Sequence, residues 1–226
     1  MQLPENPFAA GAVLLIDKPL EWTSFNVVSK VRWLTKTKKV GHAGTLDPLA
    51  TGLLIVCTGK FTKRINEFMA QEKEYTGTIT LGATTPTYDL ESEPENVEPA
   101  ENITEADVQQ VVQQFTGDIL QVPPAHSAIK VGGKRVYSLA RQGKEVKLEP
   151  RPVTIKEFEV SVQQHIIHFR VVCSTGTYIR SLANDVGAAL GCGGYLSSLR
   201  RTRIGNFLVT DAETPQQLEA RLKTDT

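Results

Sequence analysis

Two rhythms of apolar positions run along the chain. One has the period of a strand. Residues 12–17 form a short apolar run closed by Asp17-Lys18-Pro19, which predicts a strand leaving the core. Residues 52–58 predict a buried strand, and the alternation of Thr78, Ile79, Thr80 and Leu81 predicts a half-buried one over 73–82. Residues 153–162 and 166–174 read as a plausible pair of strands, and 195–204 as a further one. The other rhythm is helical. Phe25, Val28, Val31 and Leu34 recur at a spacing of three, which predicts a helix capped by Ser24 and running to about Lys36. Short helices are expected at 61–70 and 136–142. Thr104 and Asp107 have capping-box spacing, opening a helix that Gly117 ends. Residues 177–190 predict a helix ended by Gly191, and Thr214-Pro215 opens a last one.

Between these elements, 40–48 is a glycine-bearing loop, and 91–102, acidic with Pro94 and Pro99, is expected to be exposed and mobile. There is no internal repeat and no compositional boundary, so 226 residues are expected to form a single domain. Strands and helices alternate irregularly and several strands look hairpin-linked. The fold class expected is α+β, with a mixed, largely antiparallel sheet.

Composition narrows the class. No apolar stretch approaches the ~18 residues of a membrane span. No basic segment precedes an apolar core at the N-terminus, so a cytoplasmic protein is expected. Cys57, Cys173 and Cys192 are far apart and read as free buried thiols. His165 and His168 lie in a strand-like run with no further ligand nearby, so no metal site is expected. The formal net charge is zero, but the charge is segregated. Residues 30–39 hold five basic side chains and no acidic one; residues 130–151 hold seven basic and two acidic; Arg200, Arg201 and Arg203 form a third cluster. Residues 89–107 hold eight acidic side chains and no basic one. Basic patches suit a polyanion, although a charge run is also what a solvated face looks like.

One loop stands out for chemistry, Gly41-His42-Ala43-Gly44-Thr45-Leu46-Asp47-Pro48-Leu49-Ala50-Thr51-Gly52. It is no phosphate-binding P-loop, because no Gly-Lys-Ser/Thr follows its glycines. It sets one carboxylate, Asp47, between a glycine turn and a buried strand, and Pro48 restricts Asp47 to extended geometry. Such a carboxylate serves as nucleophile or base, or simply caps a turn. Tyr75, in Lys73-Glu74-Tyr75-Thr76-Gly77, is placed to stack on a base. Gly176-Thr177-Tyr178-Ile179-Arg180-Ser181-Leu182 puts an arginine on the first turns of a helix, and Leu199-Arg200-Arg201-Thr202 ends in a paired arginine.

Taken together, in order and spacing, these segments resemble the tRNA pseudouridine-55 synthases, the TruB family. The likeness runs almost from end to end: Leu15-Ile16-Asp17-Lys18-Pro19, the 41–52 loop, Glu74-Tyr75, Gln121-Val122-Pro123-Pro124 with Ser127-Ala128-Ile129-Lys130, 176–182 and 199–202. The resemblance implies that Asp47 is the catalytic aspartate, Tyr75 the tyrosine stacking on the target base, and Arg180 the arginine pairing with the aspartate. It implies that His42, Tyr178 and Leu199 line the site or engage the T-loop, and that 124–151 is an RNA-binding insertion. Lys18, Lys130 and Arg200 stand in matching motifs as substrate-binding candidates. Asp89 matches a family aspartate near the substrate, in a context, Thr85-Pro86-Thr87-Tyr88-Asp89-Leu90, that departs from the usual one. Glu21 stands where the family usually has Gly, and His126 where an aromatic is common. The tail, 205–226, is short where many members carry a second, RNA-binding domain. The implied activity is isomerisation of a T-loop uridine in tRNA by a monomer, without cofactor, metal or membrane. An RNA-binding module without catalysis, and an α+β enzyme acting on a small anion, are the competing readings.

Overall fold

A nine-residue strand, Ala50–Thr58 (β3), organises the first part of the computed structural model. The structure describes residues 6–125, the backbone of Lys130, Val131, Lys134 and Arg135, and residues 148–224. The helix expected at 136–142 and the side chains of Lys130, Lys134, Arg135 and Arg141 lie outside the described residues. The chain divides into two compact units, Met1–Thr76 with Leu199–Thr226, and Gly77–Ser198.

In the first unit, β3 is flanked on both edges. Val13–Lys18 (β1) pairs with it antiparallel, from Val13 opposite Cys57 to Lys18 opposite Gly52. Val40–His42 (β2) pairs antiparallel with its C-terminal half, and Gly194–Ile204 (β10) runs parallel to its start, Leu199 opposite Ala50. Both faces are covered as well. Leu54 and Val56 pack with Leu14, Ile16, Val27, Val28, Val31 and Leu218, while Leu53, Ile55 and Cys57 pack with Phe68 and Ile204. A strand covered on both faces needs a continuous apolar run, which is what 53–57 is. The first face is closed by Ser24–Thr35 (α2) and Pro215–Thr224 (α6), the second by Ile65–Met69 (α3). A short helix, Pro7–Ala10 (α1), precedes β1.

Two expectations for α2 change. Thr23, not Ser24, is the N-cap, in a capping box with Asn26. The Ser24 hydroxyl is engaged elsewhere, accepting from the Leu46 N–H at 2.9 Å and donating to its carbonyl at 3.2 Å. The buried stripe is Val27, Val28 and Val31, and Phe25 is 63% exposed.

The second unit contains part of Lys73–Leu81 (β4) and of β10, then Glu105–Gln114 (α4), Gly117–Gln121 (β5), Lys130–Val131 (β6), Lys134–Arg135 (β7), Arg151–Gln163 (β8), Ile166–Cys173 (β9) and Ile179–Ala189 (α5). Its strand order is β10-β4-β9-β8-β5, with β8 antiparallel to both β9 and β5, and β6 pairs with β7 as a separate hairpin. The predicted pairing of 153–162 with 166–174 and the Thr104–Asp107 capping box are observed. β5 was not expected: Gly117 and Asp118 obscure its alternation, and its pairing with β8 supplies what local propensity lacks. A short strand, Phe207–Leu208 (β11), completes the first unit beside β10. The class is α+β with a mixed, mainly antiparallel sheet, as expected from the sequence.

Candidate active site

The 41–52 loop is fastened from three sides within the first unit. β2 carries the chain as far as His42, and Ala43 N–H continues the pattern by donating to Ile55 O at 2.8 Å. Ser24 holds Leu46 through both of its backbone groups. After Asp47 the turn closes with Ala50 N–H donating to Asp47 O at 3.0 Å. The strongest fastening has no signature in the sequence. Arg201 is 1% exposed and its guanidinium donates to Leu53 O at 2.8 Å, Gly44 O at 3.1 Å and Thr45 O at 3.4 Å. It ties the arm of the loop before Asp47 to β3. A buried cation is tolerable here because backbone carbonyls replace its lost hydration. Gly52 makes room for this strand pairing. It has φ of 103°, and a Cβ there would lie 2.3 Å from Arg201 O.

Lys18 lies under the same loop. It is fully buried, and its Nζ donates to Pro19 O at 3.0 Å, Trp22 O at 2.5 Å and Pro48 O at 3.4 Å. Burial pushes its pKa down to about 8, while attraction to Asp47 works in the opposite direction. Lys18 and Asp47 are therefore within electrostatic reach, and the loop that presents the carboxylate is built around two buried cations. Burial also lowers the pKa of His42, with the Gly44 backbone opposing and Arg201 adding to the shift. The buried Nδ1 of His42 makes no hydrogen bond of normal geometry among the described residues. Tyr75, in β4, is 8% exposed. Leu199 is half-buried and pairs with Ala50, three residues after Asp47. Arg200, a candidate for substrate binding, makes a two-pronged ion pair with Asp17, Nη1 to Oδ1 at 3.0 Å and Nη2 to Oδ2 at 2.7 Å.

The second unit, taken by itself, holds Arg180, Tyr178 and Asp89. Arg180 is the second residue of α5 and is 6% exposed. Its Nε stands 3.7 Å from Asp89 Oδ2, and its Nη1 donates to Thr87 O at 3.2 Å. Asp89 also accepts from the Glu91 N–H at 3.0 Å, and a Leu196 N–H to Tyr88 O bond of 2.9 Å ties this turn to β10. The matching aspartate is thus the carboxylate partner of Arg180 within this unit. Tyr178 is the N-cap of α5, and its backbone is clamped by buried Gln121, which accepts from Tyr178 N–H at 2.8 Å and donates to Tyr178 O at 3.1 Å. Ser181 donates to Val122 O at 2.8 Å, so the 121–122 segment and the α5 N-terminus hold one another. A polar pair of this kind leaves no apolar periodicity, so nothing in the sequence pattern singles out Gln121. The side chain of Lys130 lies outside the described residues. Among the described residues no group of three or more His, Cys, Asp or Glu is placed to hold a metal ion.

Comparison with known proteins identifies the family. Residues 32–179 match the model of the TruB family pseudouridylate synthase N-terminal domain, and 180–226 match that of the tRNA pseudouridylate synthase B C-terminal domain. A protein of Flavobacterium johnsoniae named tRNA pseudouridine synthase B is 54% identical over 213 residues, 91% of this chain and 93% of that one. One of the same name from Parabacteroides distasonis is 51% identical over 94% of this chain and 93% of that protein. Among solved structures, a chain of a Cbf5-Nop10-Gar1 complex is 32% identical with a TM-score of 0.69, covering 89% of this chain. A chain of an H/ACA RNP bound to a substrate RNA containing 2'-deoxyuridine is 29% identical with a TM-score of 0.66, covering 92%. This chain spans about half the length of those two solved chains.

Proposed function

The chain belongs to the TruB family of pseudouridylate synthases, and from that premise we infer that it converts a uridine of tRNA, the T-loop uridine at position 55, to pseudouridine. The observation that carries the reading is Asp47. It sits where the family resemblance puts the catalytic aspartate, on a loop held by Arg201, Ser24 and Lys18 more firmly than a turn-capping role requires. The turn-capping and binding-only readings leave that investment of buried cations unexplained.

The chemistry proposed needs neither a redox partner nor an external group. A stacked uridine must first leave the loop, at a cost of a few kcal/mol that stacking on Tyr75 offsets. Asp47 adds to C6 of the base or takes part in cleavage at C1′. The N1–C1′ bond breaks, the base turns, and a C5–C1′ bond forms. C5 loses its proton to a base, for which Tyr75 is the candidate, N1 gains one, and any bond between Asp47 and the substrate breaks to restore the free carboxylate. Arg180 is proposed to keep the carboxylate charged through this sequence, and His42, Tyr178 and Leu199 to engage the RNA. The enzyme is read as a cytoplasmic monomer. No helix among the described residues is long and apolar enough to cross a membrane, and α2 and α6 turn their apolar stripes to their own sheet.

The test uses tRNA carrying tritium at C5 of uridine. The wild-type chain should release tritium into water and leave pseudouridine at position 55, and Asp47→Asn should release below a few per cent of it, with tRNA affinity within about tenfold. A silent wild type overturns the activity; an active Asp47→Asn removes Asp47 from the mechanism.

A further inference from the structure

Several cations on the first unit have a carboxylate partner. Lys30 pairs with Glu219, Arg200 with Asp17, Arg203 with Glu72 and Arg221 with Glu213. Five exposed lysines do not, among the described residues. Lys36, Lys38, Lys39, Lys60 and Lys63 line one open cleft together with Ala9, Thr37 and Gly59. All five are exposed, no carboxylate is among the lining residues, and none of the five has an ion-pair partner among the described residues.

The cleft has a fixed shape. Its walls are α1, the turn between α2 and β2, and the 3₁₀ helix Gly59–Arg64. Gly59 N–H donates to Lys39 O at 2.8 Å, and the Thr58 hydroxyl donates to Phe8 O at 2.7 Å while accepting from Ala12 N–H at 3.0 Å. Gly59 packs so tightly on α1 that a Cβ would lie 2.3 Å from Ala9 O. Five like charges are thus held near one another on a braced frame, which repulsion makes unfavourable until an anion arrives. One small anion neutralises one or two of them; a polymer with a charge at every step neutralises the row and releases counterions.

The position of the cleft says which part of a nucleic acid it meets. Asp47 lies just before the start of β3 and Gly59 just after its end. The eight steps of the strand from Ala50 to Thr58, at ~3.3 Å each, hold its two ends roughly 26 Å apart. A phosphate held in the cleft is therefore not that of the reacting nucleotide.

We propose that this five-lysine cleft binds the phosphate backbone of the substrate tRNA, several nucleotides away from the uridine that reacts. The proposal rests on the tRNA activity inferred above.

The experiment compares the wild-type chain with two variants, Lys38→Gln/Lys39→Gln/Lys60→Gln/Lys63→Gln and the same four positions changed to Arg. Equilibrium tRNA affinity is measured over a salt series, and tritium release is measured in single turnovers at saturating tRNA. The Gln variant should bind tRNA at least tenfold more weakly near 0.1 M salt. Its log-affinity against log-salt slope should be shallower by about two to three, at roughly 0.7–0.9 for each phosphate that is no longer neutralised. The Arg variant should bind like wild type, and both should keep the saturating rate. An unchanged affinity and slope in the Gln variant would make the cleft a solvated face and overturn the proposal. So would an equal weakening in the Arg variant, or loss of poly-glutamate binding with tRNA binding intact, which would assign the cleft to an acidic protein. A wild type that binds tRNA but releases no tritium refutes the inferred reaction instead, and the binding series still decides the cleft.

Discussion

Lys18 folds into a place where its charge is costly, and the cost has a pH signature. Its pKa falls from 10.5 to about 8 on burial. Between those values the folded chain binds fewer protons than the unfolded chain, so stability rises with pH across the window, the reverse of a lysine that gains an ion-pair partner. The stability of wild type minus that of Lys18→Met should therefore increase by about 2 kcal/mol from pH 8 to pH 10, at about 1.4 kcal/mol per unit. Urea titrations of both proteins at several pH values measure it, and a flat difference would show that Lys18 keeps an ordinary pKa. Arg180 makes a different prediction. Replacing it by Met leaves Asp89 buried without its guanidinium, a loss expected to cost about 3–5 kcal/mol. The single-turnover rate should fall by a hundredfold or more while tRNA affinity stays within tenfold. A double-mutant cycle with Asp89→Asn reads the pair itself, and a coupling below about 0.5 kcal/mol would mean that 3.7 Å is mere proximity. At this scale the sequence singled out Asp47, Arg180 and Asp89 through their motifs, but not the pairing of Arg180 with Asp89. It was silent about Arg201, because the second arginine of Arg200-Arg201 looks like the first. Only pairing with β3 turns Arg200 toward Asp17 and Arg201 into the core.

Secondary elements were readable wherever one face of the element meets a core. β1, β3, β4, β8, β9, β10 and the helices α2, α4, α5 and α6 were expected within a few residues of their observed bounds. β2 and β5 were not. Three residues containing Gly41, and five beginning Gly117-Asp118, carry too little periodicity, and both are stabilised by the neighbours they pair with. Gly187 shows where an element rule and its surroundings disagree. In a helix interior, Gly→Ala normally stabilises by about 1 kcal/mol. Here a Cβ would stand 2.1 Å from Gly194 N and 2.4 Å from Gly193 C, both backbone atoms that cannot swing aside. Gly187→Ala should therefore lower the melting temperature, by several degrees, and push α5 off β10, carrying Arg180 with it. A thermal melt and a single-turnover assay check both effects; a raised melting temperature would show that the helix has room to spare.

The whole molecule is a chain that leaves its first unit at Thr76 and returns at Leu199. Both crossings fall inside strands, β4 and β10, so no linker composition marks them, and the sequence reads as one undivided domain. The returning segment matters to the first unit. Ile204 and Leu218 are fully buried there, and Arg201 fastens the loop of Asp47. A chain stopped at Ser198 should leave the β3 amides open to hydrogen exchange at rates near those of an unfolded peptide, where the full chain protects them strongly; persistent protection would show that β1 and β2 suffice. The bond from Arg201 to Leu53 spans 148 positions of sequence. At about 5–20 residues per second, a ribosome needs roughly 7–30 s to deliver the arginine after the strand it must hold. For that interval the nascent chain carries Asp47, the carboxylate proposed to react, on an unfastened loop. The activity proposed for Asp47 thus has to wait for the returning segment that carries Arg201, and a translation product stalled before it should not modify the tRNA pool around it.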